Sequence, residues 1–222
     1  MDIGKNISEL KQNLPEGVRL VAVSKTKPNE DILAAYHVGQ RIFGENKVQD
    51  LTRKYEELPK DIEWHFIGHP QRNKVKYIAP FISLIHGVDS IKLLKTIDKE
   101  GAKNKRVIKC LLQFHIAEEA TKFGLSEPEA VGILTSREFA ELNNVEVVGV
   151  MGMATYTDDE NQIRKEFQTL KEIFTELKRN FFAESDSFCE ISMGMSDDYP
   201  LAVDEGSTLI RVGSKIFGRR NY

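Results

Sequence analysis

Residues 20–39, LVAVSKTKPNEDILAAYHVG, contain one complete strand-and-helix unit. Leu20–Ser24 is a short apolar run, which is typical of a buried strand. Asn29 is placed to cap a helix, two acidic residues follow it, and Gly39 would end the helix. A buried strand followed at once by an amphipathic helix is the repeating unit of parallel α/β proteins.

The same alternation of apolar runs and amphipathic stretches continues along the whole chain. Eight runs are candidate strands: Leu20–Ser24, Arg41–Gly44, Trp64–Ile67, Leu84–Val88, Val107–His115, Val145–Met151, Phe188–Ser192 and Leu209–Val212. Eight parallel strands are the number that closes a barrel. Because no linker rich in Pro, Gly or Ser divides the chain, we predict an α/β protein that forms a single (β/α)8 TIM-type barrel over residues 1–222.

Several helices can be placed from their start signals. An extra helix, Ile3–Leu14, precedes the first strand and is expected to cap the bottom of the barrel. The longest helix is predicted over Asp159–Arg179. Ser126 is expected to cap one helix, and Ser196 is expected to open another that runs to Gly206.

The charge balance limits the possible partners. Lys and Arg number 31 and Asp and Glu number 34, which gives a formal charge of −3. Such a chain has no basic field that would attract nucleic acid or an anionic membrane surface. No apolar run approaches the roughly 20 residues that span a bilayer. We therefore expect no nucleic-acid partner and no membrane association.

The cysteines and the amino terminus bear on the compartment. Cys110 and Cys189 both lie in apolar runs, so we expect both to be buried, and they lack metal-ligand spacing. Free buried thiols indicate a reducing compartment. The first residues carry no positively charged segment followed by an apolar stretch, so no secretory signal is predicted. The expected location is the cytoplasm.

Lys25 directly follows the first predicted strand. Period-two alternation places it on the same face as Val21 and Val23. Because that face is apolar, Lys25 would be partly desolvated, which disfavours the ammonium form and lowers its pKa. A neutral amine is the form that attacks a carbonyl to make a Schiff base. The alternative is a surface lysine at a helix entrance, since lysines are seldom buried.

The ends of the last two strands contain glycine and serine together. Ser192 closes the seventh strand and precedes Gly194 and Ser196, while Gly213 and Ser214 follow the eighth strand. In barrels of this kind these two turns commonly hold a phosphate, because glycine lets backbone N–H groups approach and a helix amino terminus favours an anion. A simple turn with a helix cap is the alternative.

Arg211 lies within the eighth strand and shares its face with Leu209 and Gly213. A guanidinium among apolar neighbours needs a partner. A carboxylate would form an ordinary ion pair, whereas the ring nitrogen of a ligand would make Arg211 part of a binding site. On the residues alone, a Schiff-base aldolase for a phosphorylated sugar would use the same barrel, lysine and phosphate site.

Two clusters are less specific. His65 and His69, with Glu63 nearby, look like metal ligands, but they lie on a predicted strand, where this spacing suits chelation less than it does on a helix. We therefore predict no metal site. The basic stretch of residues 72–76 is either a solvated helix face or a contact for a partner.

Four segments carry a resemblance to a known family. They are VAVSKTKP (21–28), IFGENKVQ (42–49), IGHPQRNK (67–74) and MGMSDDYPLAVDEGSTLIRVGSKIFGRRNY (193–222). In this order they resemble the pyridoxal phosphate homeostasis protein family. The resemblance implies a fold-type III barrel, similar to the N-terminal domain of alanine racemase, that binds pyridoxal 5′-phosphate (PLP).

Site roles follow from the resemblance. It implies that Lys25 forms the Schiff base with PLP, and that Arg211 faces the pyridine nitrogen. It also implies that Asn46 lines the cofactor pocket and that three residues bind the phosphate: Ser192, Gly213 and Ser214. Pro70 and His115 depart from the family pattern, and we expect His115 to alter the rim of the pocket.

The resemblance also implies a function. The protein would hold PLP reversibly, release it or transfer it to apo forms of PLP-dependent enzymes, and act as a monomer. An arginine beside the pyridine nitrogen weakens PLP as an electron sink, so no catalytic residue is assigned. The alternative is a weak amino-acid racemase. Racemases of this type take a second base from a separate β-domain, and we expect none here, because the chain ends at Tyr222, unless a neighbouring subunit supplies one.

Overall fold

Eight parallel strands, each hydrogen-bonded to the next, form a closed barrel in the computed structural model. The structure describes residues 2–119 and 123–218, so both ends of the predicted domain lie outside it. The strands are β1 Arg19–Val23, β2 Ile42–Glu45, β3 Glu63–Phe66, β4 Leu84–Val88, β5 Ile108–Gln113, β6 Val145–Met151, β7 Glu190–Ser192 and β8 Leu209–Val212. The predicted barrel is confirmed.

Helices surround the barrel. They are α1 Ile3–Gln12, α2 Asn29–His37, α3 Val48–Glu57, α4 Val75–Ile78, α5 Ile91–Lys103, α6 Glu127–Leu134, α7 Arg137–Ala140, α8 Glu160–Phe181, α9 Tyr199–Asp204 and α10 Ser214–Phe217. A 3-10 turn, Arg72–Lys74, leads into α4. Across the described ranges, none of these helices combines the length and apolar character needed to cross a membrane.

The sequence indicated that the extra helix α1 caps the bottom of the barrel, but the structure places α1 elsewhere. It packs beside α2 and α10 in the outer layer, with Ile7 and Leu10 buried. The side chain of Asn6 donates to the backbone oxygen of Ile216 at 2.9 Å. The last helix of the barrel, α10, has only four residues, and α1 packs against it.

Two of the predicted helix caps are wrong. Asn29 is already helical, and Pro28 occupies the cap position without a side-chain hydrogen bond. Ser196 lies in a turn, and α9 begins only at Tyr199. Ser126 does cap α6, in a reciprocal arrangement where its hydroxyl and the backbone at residue 126 both bond to Glu129. Only this last segment has a glutamate three residues after its cap, which stabilises the first turn.

Side chains alternate between the barrel interior and the layer under the helices. The interior cluster contains Val21, Leu84, Leu111, Val148, Met151 and Leu209. The larger outer cluster includes Phe43, Trp64 and Phe66, which lie between the sheet and the helices. This period-two separation is what the sequence predicts for β1 and β8.

The seventh strand is shorter than predicted. It begins at Glu190, and Phe188 before it stacks in the outer layer against Phe174 and Phe182. Cys189 is exposed, whereas Cys110 is buried, so the expectation of two buried cysteines is wrong for Cys189. Cys189 belongs to the apolar run in the sequence, but it precedes the strand. It therefore lies at the amino-terminal end of the barrel, where it is exposed.

A buried ion pair fastens α3 to the ends of the first two strands. The ammonium of Lys54 donates to Oε1 of Glu45 at 2.7 Å and to the backbone oxygen of Ser24 at 2.9 Å. The hydroxyl of Ser24 donates to the same carboxylate oxygen at 2.7 Å. Both charged side chains are almost fully inaccessible. The pair therefore holds the chain immediately before Lys25.

We predict that Lys54→Met destabilises the protein strongly. The substitution leaves the carboxylate of Glu45 buried without its cation, which costs about 3–5 kcal/mol of unfolding free energy. Lys103→Met is the matched control, because Lys103 pairs with Glu100 at the same 2.7 Å but is 56% exposed. Chemical denaturation should show a loss of no more than about 1 kcal/mol for the control. Equal small losses in both variants would contradict the prediction.

Candidate functional site

A cavity of 260 Å³ opens at the carboxyl end of the strands. We call it the C-terminal cavity. The residues that form it come from the ends of β1, β3, β6, β7 and β8, and include Val23, Lys25, Ile67, Met153, Ser196, Arg211, Gly213 and Ser214. Barrel enzymes build their active sites at this end, because the loops there can vary while the strands stay fixed.

Lys25 is half-buried in the wall of this cavity, two residues beyond β1. It continues the inward face of Val21 and Val23, as the alternation predicts. The next residue, Thr26, has φ 68°, a left-handed conformation that non-glycine residues seldom adopt. Lys27 also lines this cavity, and its ammonium donates to the backbone oxygen of Phe217 at 2.7 Å.

Gly213, Ser214 and Ser196 form the wall of the cavity on the side of β7 and β8, next to the end of β1. The backbone N–H of Gly213 donates to the hydroxyl of Ser196 at 3.2 Å. A side chain at position 213 would come within 3.2 Å of the backbone oxygen of Val23, so glycine lets β8 end close to β1. This wall offers two hydroxyl groups on either side of an exposed stretch of backbone.

The conformation of Gly194 brings Ser196 into the cavity. Gly194 has φ 92°, and a Cβ there would lie 2.6 Å from the Cβ of Ala202. Its backbone oxygen accepts from the N–H of Arg211, which ties the turn after β7 to β8. The sequence placed Ser196 at a helix start, in one of the two turns expected to hold a phosphate, and the structure puts it in the cavity wall. The glycine between Met193 and Met195 is the sequence signal for such a turn, because glycine adopts a positive φ readily.

Ser192 does not line the cavity. It is fully buried below Arg211, whose Nη1 donates to the Ser192 hydroxyl at 2.6 Å. Asn46 is exposed at the same end of the barrel, with its backbone against Gly68, and is also absent from the cavity wall. The structure thus brings together four of the six predicted site residues: Lys25, Arg211, Gly213 and Ser214.

Arg211 is buried with neutral acceptors. Besides Ser192, it donates through Nη2 to the backbone oxygen of Gly152 at 3.0 Å. Burial lowers the pKa of Arg211 to about 10, and the nearby charge of Asp198 acts in the opposite direction. The side chain also reaches the cavity. Arg211 therefore presents a cation to the cavity, and neither hydrogen-bond acceptor is the carboxylate considered in the sequence.

Two histidines extend this arrangement into the barrel. Nδ1 of His86 lies 2.9 Å from the hydroxyl of Ser192, and Nε2 of His86 lies 3.0 Å from Nδ1 of His65. Burial lowers the pKa of His65 to about 3 and lowers that of His86 well below its usual value. Both rings are therefore neutral near pH 7. His86 escaped the sequence analysis because a histidine inside an apolar strand reads as core.

The remaining sequence candidates lie away from the cavity. His69 faces Asp89 at 3.3 Å and stacks on Phe123, so it does not join His65. No group of three or more metal-ligating side chains occurs among residues 2–119 and 123–218. His115 is exposed and contacts the backbone oxygen of Glu119. It does not line the cavity, contrary to the expectation that it alters the rim.

The basic stretch at residues 72–76 is largely exposed on the 3-10 turn and α4. The ammonium of Lys76 lies over the ring of Tyr77, 4.9 Å from its centre. Of the two alternatives from the sequence, the structure therefore has the solvated helix face. A role as a partner contact stays a prediction.

Comparison with known proteins identifies the family. The family model described as alanine racemase, N-terminal domain, matches residues 2–221. The pyridoxal phosphate homeostasis protein of Aquifex aeolicus (strain VF5) is 40% identical over 205 residues, which cover 92% of this chain and 88% of the relative. The human protein of that name is 38% identical, over 92% of this chain and 77% of its own length. The chain belongs to the pyridoxal phosphate homeostasis protein family.

Solved structures agree with this family assignment. PipY of Synechococcus elongatus PCC7942, solved without PLP, matches with a TM-score of 0.90 and 34% identity, over 97% of this chain and 100% of PipY. The structure of PipY with PLP bound matches with a TM-score of 0.87. An alanine racemase from Clostridium difficile has a TM-score of 0.78 but only 12% identity, and this chain covers 60% of it, so that likeness concerns the fold alone.

We predict that His65→Gln flattens the acid limb of the stability profile. The folded-state pKa of His65 is lowered from 6.5 to about 3, so between these values the unfolded state binds the extra proton. Stability is therefore lost as the pH falls below 6.5, by up to about 1.4 kcal/mol per pH unit for this residue. Denaturation from pH 7 to pH 4 should give a smaller slope for His65→Gln, and the wild-type slope for the exposed His37→Gln. Equal slopes for the two variants would refute the prediction.

Proposed function

We propose that the protein binds PLP in the C-terminal cavity and acts in PLP homeostasis. One observation carries this proposal: an amine, two hydroxyl groups and a buried cation, those of Lys25, Ser196, Ser214 and Arg211, line one cavity. Relatives covering most of the chain are named pyridoxal phosphate homeostasis proteins, and PipY has been solved with PLP bound. When bound, PLP supplies an aldehyde that an amine can hold reversibly.

The donor set of the cavity fits this cofactor. Lys25 is the amine for the aldehyde. The hydroxyls of Ser196 and Ser214 suit a phosphate, because hydroxyl groups donate well to phosphate oxygens, and the N–H of Gly213 orients the hydroxyl of Ser196. Apolar side chains of Ile67 and Met153 also line the cavity and suit the faces of an aromatic ring.

Lys25 is proposed to hold PLP as a Schiff base. The neutral amine adds to the aldehyde carbon, and one water molecule leaves, so the bond reverses when water or another amine attacks. The ion pair of Lys54 and Glu45 supports this role, because it fixes the backbone oxygen of Ser24, the residue before the lysine. A reversible bond on a lysine that follows a fixed backbone suits storage and release.

Arg211 is proposed to face the pyridine nitrogen. Arginine carries donors only and stays protonated, so the ring nitrogen next to it accepts a hydrogen bond and remains unprotonated. An unprotonated pyridine withdraws electrons less well than a protonated one, which weakens carbanion stabilisation. We therefore propose a protein that binds and releases PLP without catalysing a reaction.

Three further assignments complete the proposal. The protein forms one PLP-binding domain over residues 1–222 and acts as a monomer that donates PLP to apo-enzymes. Its compartment is the cytoplasm, which the two free thiols of Cys110 and Cys189 support. Asn46, which is exposed near the mouth of the barrel, and the buried Ser192 remain candidates for contact with the bound cofactor.

A weak racemase is the second candidate function. It is favoured by the family model, which is named for alanine racemase. Chiral chromatography of alanine and serine incubated with the PLP-loaded protein distinguishes the two functions. Turnover that disappears in Lys25→Ala would establish the racemase and overturn the proposed non-catalytic role.

We predict that Lys25 is the labelled residue after reduction. Protein mixed with PLP should develop a visible absorbance band, and borohydride should fix a pyridoxyl group on Lys25, which peptide mapping by mass spectrometry locates. The variant Lys25→Ala should lose this label. Lys47→Ala, which changes an exposed lysine after the second strand, should keep it.

Other outcomes of the labelling experiment are equally informative. A pyridoxyl group on Lys27 would move the Schiff base to the neighbouring lysine. Absence of both the band and the label would exclude PLP as the ligand of this cavity. A Schiff-base aldolase for a phosphorylated sugar would then become the better hypothesis for the function.

We predict that Ser214→Ala weakens the binding of PLP but not of pyridoxal, which lacks the phosphate. A hydrogen bond to a charged group contributes about 1.5–3 kcal/mol, so the affinity for PLP should fall by about ten-fold or more. Spectrophotometric titration with both vitamers measures this, and pyridoxal serves as the internal control. An equal loss for both vitamers would place the phosphate elsewhere.

A further inference from the structure

A chain of four side chains crosses the interior of the barrel. It runs from Nη1 of Arg211 to the hydroxyl of Ser192 (2.6 Å), then to Nδ1 of His86 (2.9 Å), and from Nε2 of His86 to Nδ1 of His65 (3.0 Å). All four side chains are buried. They come from four strands: His65 from β3, His86 from β4, Ser192 from β7 and Arg211 from β8.

The two ends of the chain open into different cavities. Arg211 lines the C-terminal cavity. His65 lines a second cavity of 380 Å³, which we call the N-terminal cavity because Arg19, Glu63 and Glu190, at the first positions of β1, β3 and β7, also line it. The hydrogen-bonded chain therefore joins the two faces of the barrel.

Arg211 and the buried proton of Ser192 together fix the direction of the hydrogen bonds in this chain. Arg211 can only donate, so the oxygen of Ser192 accepts from it. Nδ1 of His86 is the other partner of this hydroxyl among the described residues, so the buried Ser192 proton is satisfied by donation to Nδ1. Nδ1 of His86 must then be an acceptor, which puts the proton of this neutral ring on Nε2. That proton is donated to Nδ1 of His65, and the proton of His65 is consequently on its own Nε2.

We propose that Ser192 and His86 are positioning residues that hold the guanidinium of Arg211 against the C-terminal cavity, through a hydrogen-bonded chain with one direction that ends at His65. Ser192 thus acts below the cofactor site, through Arg211. The expected effect of Ser192 and His86 on PLP binding rests on the proposed function. The direction of the hydrogen bonds in the chain does not depend on that function.

Charge and burial around the histidines support the same arrangement. Burial lowers the pKa of both rings, and the positive charges of Arg19 and Arg211 act in the same direction on His86. Arg19 also lowers the pKa of His65. Protonation of either ring would place a second proton where the chain needs an acceptor, so neutral rings are the form that satisfies all three hydrogen bonds.

The decisive experiment uses the full chain without PLP. Long-range ¹H–¹⁵N correlation spectra of the ¹⁵N-labelled protein at pH 7 report which ring nitrogen carries the proton, and the variants His65→Gln and His86→Gln assign the signals. We expect both buried rings to be neutral with the proton on Nε2. A proton on Nδ1 of His86, or a cationic ring at either position, would overturn the proposal.

A pair of matched serine variants tests the positioning role. Ser192→Ala removes the link between Arg211 and His86, whereas Ser207→Ala removes a similarly buried hydroxyl that bonds to the backbone oxygen of Met193 at 2.8 Å. Only Ser192→Ala should move the Nδ1 resonance of His86 towards that of a nitrogen without a hydrogen-bond donor. An unchanged His86 signal in Ser192→Ala would refute the link.

The same two variants connect the chain to the cofactor. Loss of a hydrogen bond to the charged guanidinium should weaken PLP binding by about ten-fold in Ser192→Ala, and Ser207→Ala should stay within about two-fold of the wild type. If the wild type binds no PLP, the proposed function fails while the tautomer result still decides the chain. If PLP binds and both variants bind it equally well, the positioning role is refuted.

Discussion

Pairing of β1 with β8 is the constraint on which the site depends. It closes the barrel and sets Val21 opposite Arg211. Lys25 and Gly213, which follow these strands, consequently reach one rim although they are far apart in the chain. A side chain at position 213 would crowd the backbone oxygen of Val23 at 3.2 Å, so the glycine that suits this close approach also exposes backbone to the cavity.

Closure also creates an interior in which charged groups must be satisfied. Lys54 and Glu45 lie behind the strands and neutralise each other at 2.7 Å. Arg211 lies inside the barrel and is held by the neutral oxygens of Ser192 and Gly152. A carboxylate partner would have cancelled its charge, whereas neutral acceptors satisfy its N–H groups and leave the positive charge for a ligand in the cavity.

The alternation of side chains predicted which face Lys25 and Arg211 share, because strands of a closed barrel keep a strict inward and outward period. The roles of the serines around β7 could not be read in this way. Gly194 takes a positive φ, so the chain turns and Ser196 reaches the cavity, while Ser192 stays below it. His86 was missed for a related reason: only closure of the barrel places it beside Ser192.

The direction of the buried chain limits what the site can do at the ring of its ligand. Arg211 cannot accept a proton, and the hydroxyl proton of Ser192 is donated to His86. Arg211, Ser192 and His86 therefore cannot exchange a proton with the ligand atom that faces the guanidinium. Burial keeps both histidines neutral well below pH 7. The charge presented to the ligand therefore stays constant across the physiological range, which suits a protein that holds a reactive aldehyde better than one that must shuttle protons during a reaction.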